Sequence, residues 1–514
     1  MDQAVELQQP AEPDEQPKQT EGRLRDNILG GLRLSWEASP REFVTLVVLA
    51  AVSAVLPPLM VWLGARLVDE VARAFTHHVP LSTFVPLIVA LGTVTALETA
   101  LGTIRYQRQD LFAWKVELHA TRRFLEQAAA VDVGHFDDSD WHDRMARAKR
   151  DVSWRPSQLT WSVIGLGSSA VTVAGMLGLL LTLHPVLVVL SLGSVLPGVL
   201  IGRKINRQMY EFWWSNTPRD RERDYIKDLF TGTGSVREIR AFGLGPHFLG
   251  RHKHIVDGQY ERLRSLYARA GHLALNSSLI TGAALAAAYA FVAVRGSNGQ
   301  LNVGDLAAVI GAFAGVRSQV SLISQSLLSI DQHAKFLDDY FTFLRVEPLV
   351  AIAGSPIALP APLEEGIVFE DVHFTYPRVD GEALSGVNLE VRPGELVAFV
   401  GDNGAGKTTI VKLLMRFYDA TGGSVRIGGV DLRDADPNEL RSRMGALFQD
   451  FTNYQLSLRE NVTLGRVDRA SDDVDVVAAL EAARAGYLVK KLPKGLASNV
   501  GRLFEGGQDL SGGE

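Results

Sequence analysis

The sequence has no cysteine among its 514 residues, which excludes a disulfide framework, a thiolate metal site and a cysteine nucleophile together. It also has no excess of positive charge: the formal net charge is −6, so nothing recommends a nucleic-acid partner. The first 25 residues contain no apolar run and are polar, acidic and proline-bearing. They read as a disordered tail over 1–25 and not as a signal peptide. One long stretch lacks charge altogether, since residues 156–202 hold no Asp, Glu, Lys or Arg. Such a stretch fits a lipid environment better than an aqueous one.

A bilayer core takes about 20 mostly apolar residues per helix. Phe43 to Ala65 is one such run, and its Pro57-Pro58 pair should kink the helix. Phe84 to Ile104 is a second, interrupted only by Glu98. The charge-free 156–202 is too long for one span and divides into two, with a tight turn near His184-Pro185. Ala270 to Val294 and Leu306 to Ile330 complete six. The connections at 105–155 and 203–269 hold about ten and about fourteen basic residues, while the other connections hold few. The two basic connections therefore face the cytosol together with both termini, and their helix-like pattern continues the spans as cytosolic extensions. In the sixth span Arg317, Ser321, Ser324 and Gln325 share one helix face. Either they line a pathway through the membrane or the helix has already left the bilayer at that point. Gly311 and Gly315 form a GxxxG pair that marks close helix packing.

From about residue 366 the composition changes to that of a soluble domain. A Pro- and Ala-rich linker over 345–365 leads into β-rich segments, and between them lies GDNGAGKTT at 401–409. This matches G-x-x-x-x-G-K-[ST] and follows an apolar strand expected at Leu396 to Val400, with a helical segment after it. Glycines let backbone N–H groups converge on phosphate oxygens with no Cβ in the way, and the following helix points its positive end at the same anion. Lys407 would reach the β- and γ-phosphates of a nucleotide and the Thr408 hydroxyl would hold Mg²⁺. The candidate contacts are Gly401, Asn403, Gly404, Ala405, Gly406, Lys407, Thr408 and Thr409. Tyr376, in FTYP 25 residues upstream of this loop, is either a core or edge-strand tyrosine or, as its spacing from the loop favours, an aromatic that stacks on a base.

The order of FTYP, GDNGAGKTT, LFQDFTNYQLSLREN and DLSGGE behind six spans resembles an ABC exporter half-transporter, over nearly the whole chain from about residue 30. The resemblance implies an α-helical six-span transmembrane domain over 26–344, followed by an α/β P-loop NTPase cassette over 366–514. It makes Tyr376 the adenine-stacking aromatic, 401–409 the Walker A loop, and Gln449 a glutamine that contacts Mg²⁺ and senses the γ-phosphate. Ser511, Gly512 and Gly513 would be the signature residues that reach ATP held by a second half-transporter. Residues 135–151 and 235–245 look like the cytosolic pieces that dock on the cassettes. The implied protein sits in a bacterial cell membrane with its cassette in the cytoplasm and moves an unidentified small molecule, lipid or peptide. In the family the signature is followed by a Walker B Asp, a catalytic Glu and a switch His, none of which precedes Glu514 here. Useful hydrolysis is therefore not expected from the sequence as written. The simplest account is an incomplete copy of a longer protein. The alternative is a short ATP-binding membrane protein that does not hydrolyse and is inert or inhibitory to an intact partner.

Overall fold

The computed structural model describes the chain apart from residues 1–20, 76–79, 138–140, 142–144, 146, 150–151, 233, 378, 450, 468–471, 503 and 512. It consists of two compact units, Met1–Leu349 and Val350–Glu514.

The first unit is helical. It contains α1 (Glu21–Ala38), α2 (Pro40–Ala74), α3 (Leu81–Ala130), α4 (Val133–Phe136), α5 (Arg155–Leu183), α6 (Pro185–Ser215), α7 (Thr217–Thr231), α8 (Val236–Ala241), α9 (Gly245–Ser297) and α10 (Val303–Leu344). Among the described residues six helices, α2, α3, α5, α6, α9 and α10, are long and apolar enough to cross a membrane. They carry the six expected runs, and α5 and α6 part at His184, where the charge-free stretch has to turn. At 50 and 53 residues, α3 and α9 are each about 75–80 Å long, well over twice the bilayer core. The basic connections are thus continuations of membrane helices. Helix α1 starts at Glu21, inside the stretch expected as a disordered tail. Residues 21–25 are helical because they belong to an amphipathic segment whose Asn27, Leu34 and Ser35 are buried.

Close approach of the helices is set by small residues. α2 runs through Pro57 and Pro58 as one helix. Pro58 has no N–H for the carbonyl of Ala54, and the Thr172 hydroxyl of α5 donates to that oxygen at 2.8 Å instead. Gly175, one turn on, leaves room for the ring: a Cβ there would stand 2.7 Å from Pro58 Cγ. On α10 a Cβ at Gly311 would meet Val61 at 2.9 Å, and one at Gly315 would meet Met176 at 2.8 Å. The GxxxG pair therefore brings α10 against both α2 and α5. Arg317, Ser321 and Gln325 are exposed on another face of the same helix, and Ser324 is half-buried.

The second unit begins with an antiparallel sheet in the order β2-β1-β3-β4, formed by β1 (Ile367–Phe374), β2 (Leu384–Val391), β3 (Gly422–Ile427) and β4 (Val430–Asp431). Phe369, Val372 and Phe374 of β1, Leu384 of β2 and Val425 and Ile427 of β3 face Leu413 and Tyr418 in one core. α11 (Lys407–Leu414) lies between β2 and β3 in the chain, and α12 (Pro437–Ser442) follows β4. A separate helical part, α13 (Leu458–Thr463), α14 (Asp473–Ala482) and α15 (Tyr487–Lys491), closes around Leu458, Val476, Leu480, Leu488 and Leu492. Residues 345–365 divide between the units. Gln127 donates to the Val346 carbonyl and Asp132 accepts from the Leu349 N–H in the first, while Leu359 is buried in the core of the second.

The strand expected at Leu396 to Val400 is not formed. These residues form neither strand nor helix and have no ladder partners among the described residues, and Leu396 and Val400 are 98% and 95% exposed. A strand that is apolar on both faces is stable only between neighbours on either side, and among the described residues none pairs with it.

Candidate nucleotide site

The loop at 401–409 owes its shape to its glycines. Gly404 and Gly406 sit at φ +85° and +82°, the left-handed region that costs other residues about 1–2 kcal/mol. Gly406 is needed for space as well, because a Cβ there would lie 2.5 Å from Leu384 Cδ2. α11 begins directly after it with no side-chain cap. The first N–H groups of a helix have no intrahelical acceptor, so the turn 406–408 offers donors and a positive helix end to an anion. Lys407 is folded back on the loop, donating to the carbonyls of Gly401 at 2.7 Å and Asp402 at 2.6 Å. Its ammonium therefore stands over the cradle. The Thr408 side is exposed, whereas Thr409 is buried.

Tyr376 is brought to the same helix. Its hydroxyl is 3.1 Å from Thr409 Oγ1, its ring packs edge-on against Phe374 and Tyr418, and the Lys412 ammonium lies 5.1 Å from its ring centre. Gln449 is exposed in the turn after Phe448. Phe448 in turn stacks on Phe417, just beyond α11, at 6.2 Å.

The signature residues sit elsewhere, on the helical part. Ser511 donates from its N–H and its hydroxyl to Glu514 Oε2, both at 2.9 Å. Glu514 also accepts from Lys491 and from the Tyr487 hydroxyl of α15. Lys491 first, then Ser511, holds the Glu514 carboxyl down to about 2. Gly513 is exposed beside Ser511, and Gly512 lies outside the described residues. The first docking piece, 135–151, is described only in part; the second contains the short helix α8.

The donors present fit a nucleoside triphosphate: a glycine-shaped backbone, a lysine held only by two loop carbonyls among the described residues, and a helix start. Among the described residues no group of three His, Asp or Glu side chains gathers to hold a metal by itself. A Mg²⁺ at Thr408 would thus depend on phosphate oxygens for the rest of its shell.

Sequence reasoning passed over Arg416. It is 1% exposed at φ +49° and donates to Asp419, to the Ala435 carbonyl at 2.6 Å and to the Ala351 carbonyl at 2.8 Å. It ties the end of α11 to the segments before β1 and after β4. A lone arginine in LLMRFYD carries no sequence signal for that role.

Residues 384–514 match the ABC transporter family model. The chain is an ABC half-transporter. Its six apolar helices and ATP-binding cassette recur together in exporters of this class. The subtilin transport ATP-binding protein SpaT of Bacillus subtilis is 22% identical over 92% of this chain and 76% of its own length. The nisin transport ATP-binding protein NisT of Lactococcus lactis subsp. lactis is 21% identical over 94% of this chain and 80% of its own. An ATP-dependent lipid A-core flippase of Chromobacterium violaceum is 29% identical over 79% of this chain and 66% of its own. A bacterial Atm1-family ABC exporter solved with ATP bound superposes with a TM-score of 0.72 at 21% identity, over 96% of this chain and 82% of that one. At that identity the likeness is one of fold. The half-transporter is an integral membrane protein of the exporter type.

Proposed function

We propose that this half-transporter pairs with a second one and couples ATP and Mg²⁺ at its Walker A loop to export of a substrate from the cytosol. The observation that carries this reading is the Lys407 ammonium over a glycine cradle at the start of α11. Bound ATP supplies the negative charge that draws the two chains together. Lys407 exchanges two carbonyl contacts for phosphate oxygens, Thr408 and Gln449 serve Mg²⁺, and Tyr376 serves the base. Ser511, Gly512 and Gly513 of one chain face the nucleotide held by the other, so neither site is complete in a monomer. Closure and reopening then bias the six helices between two arrangements, because ATP binds one of them more tightly. The cassette and both termini lie on the cytosolic side, as the basic connections favour. Subtilin, nisin and lipid A-core are named for the relatives, and they span peptide and lipid, so the substrate class is assigned by assay.

The test is ATPase activity of the purified full chain in lipid nanodiscs, with and without vanadate. Vanadate-sensitive turnover that falls to background in Lys407→Ala supports the coupled reading. Nucleotide binding with no turnover supports the alternative, an ATP-binding membrane protein that does not hydrolyse.

A further inference from the structure

A pocket of about 540 Å³ lies between α1, α3 and α10. Arg33 of α1 and Arg122 and Arg123 of α3 reach into it, with Glu37, Glu126 and His119 among them. The walls are fixed in place. Gly30 and Gly31 let α1 settle on its neighbours, since a Cβ at Gly30 would stand 2.8 Å from Phe341 and one at Gly31 2.4 Å from Leu159. The buried Asn27 donates to Asp338 at 3.0 Å and holds the helix to α10.

Its charges are unevenly satisfied. Glu37 alone gathers Arg33 at 2.8 Å, Arg123 at 3.3 Å and His119 at 3.7 Å. Arg33, then Arg123, keeps its carboxyl below the usual range. Among the described residues Arg122 pairs with Glu126 alone, through an i,i+4 contact in which both side chains are mostly exposed. Such contacts exchange readily for another anion. Three guanidiniums therefore share two carboxylates, and Glu37 occupies the position of an internal counter-ion. Arginine forks match the oxygens of a phosphate in pairs.

The height of the pocket says where the anion comes from. Glu42, directly before the apolar run of α2, pairs with Arg108 and Lys115 and so marks the membrane surface on α3. His119 to Arg123 follow Lys115 by about 6–12 Å along the helix, so His119 falls within a headgroup layer roughly 5–8 Å deep and the Arg122 and Arg123 backbones lie just beyond its outer edge. α1 itself exposes Leu29 and Trp36 on the face that also carries Arg25 and Arg33. That pattern belongs to a helix lying in the interface.

We propose that this pocket binds a phosphate group at the level of the lipid headgroups, through Arg33, Arg122 and Arg123. It is a surface site outside the nucleotide loop.

The test is native mass spectrometry of the full chain in detergent, titrated with palmitoyl-oleoyl phosphatidylglycerol or with the matched phosphatidylcholine. Phosphatidylglycerol should be retained in preference, and Arg33→Glu with Arg122→Glu should cut that preference by about fivefold per arginine. Both side chains are about 80% exposed, so the double variant should keep its helix content. Glu37→Gln removes the internal counter-ion and should raise retention, an outcome that misfolding cannot produce. Inorganic phosphate that displaces the lipid identifies a soluble phosphate as the preferred source; phosphate without effect identifies the lipid headgroup. Equal retention of the two lipids, or an unchanged preference in the double variant, overturns the proposal.

Discussion

At the scale of single residues the nucleotide loop depends on two side chains and one missing one. Lys407→Ala removes the only ammonium seen over the cradle among the described residues, and should weaken ATP binding at least tenfold, about 1.4 kcal/mol. Gly406→Ala adds a Cβ 2.5 Å from Leu384 at a left-handed φ, so both loop shape and nucleotide binding should be lost. Tyr376 offers a contrast that calorimetry can read. Tyr376→Phe keeps the ring and loses only the Thr409 contact, so affinity should stay within about twofold, whereas Tyr376→Ala should lose about 1–3 kcal/mol if the ring stacks on the base. The signature turn carries a pH dependence. The Glu514 carboxyl is held at about 2, below its ordinary 4.5, so its contact with Ser511 is intact above 4.5 and is lost as pH falls through 2. Exchange protection of the Ser511 amide should therefore be unchanged from pH 7 to pH 4.

Elements are held by what their neighbours supply. The Pro57-Pro58 pair is expected from the sequence to kink the helix, and α2 runs through it as one helix; the Thr172 hydroxyl that answers Ala54 from 118 residues away was not legible, because a contact across helices leaves no periodic mark. Thr172→Val should lower the melting temperature, through a loss of about 0.6–1.7 kcal/mol, and Thr172→Ser should restore it. Gly315→Leu should do worse, since its side chain would overlap Met176 and overpacking costs about 1–3 kcal/mol. The six spans, the turn at His184 and the GxxxG contact were readable because each follows from hydropathy or residue size alone. The strand at 396–400 was readable as apolar and yet stays unpaired, because apolarity states a need for neighbours without supplying them. Arg416 and the three pocket arginines were invisible for a related reason: their roles come from helices brought together in space.

On the scale of the whole molecule, the loop at 401–409 and the residues Ser511 and Gly513 belong to different parts of the second unit, and in the proposed exporter each contributes half of a nucleotide site. The proposed exporter needs them to meet between two chains. ATP with Mg²⁺ should therefore shift the purified chain toward a dimer, and Ser511→Ala should weaken that shift while leaving binding to the Walker A loop within a few-fold. The most direct measurement is titration of the full chain with a fluorescent ATP analogue and Mg²⁺, beside Lys407→Ala. The account predicts saturable binding that ATP competes away and that the variant weakens at least tenfold. Saturable binding of equal strength in both proteins, or none in either, would contradict it.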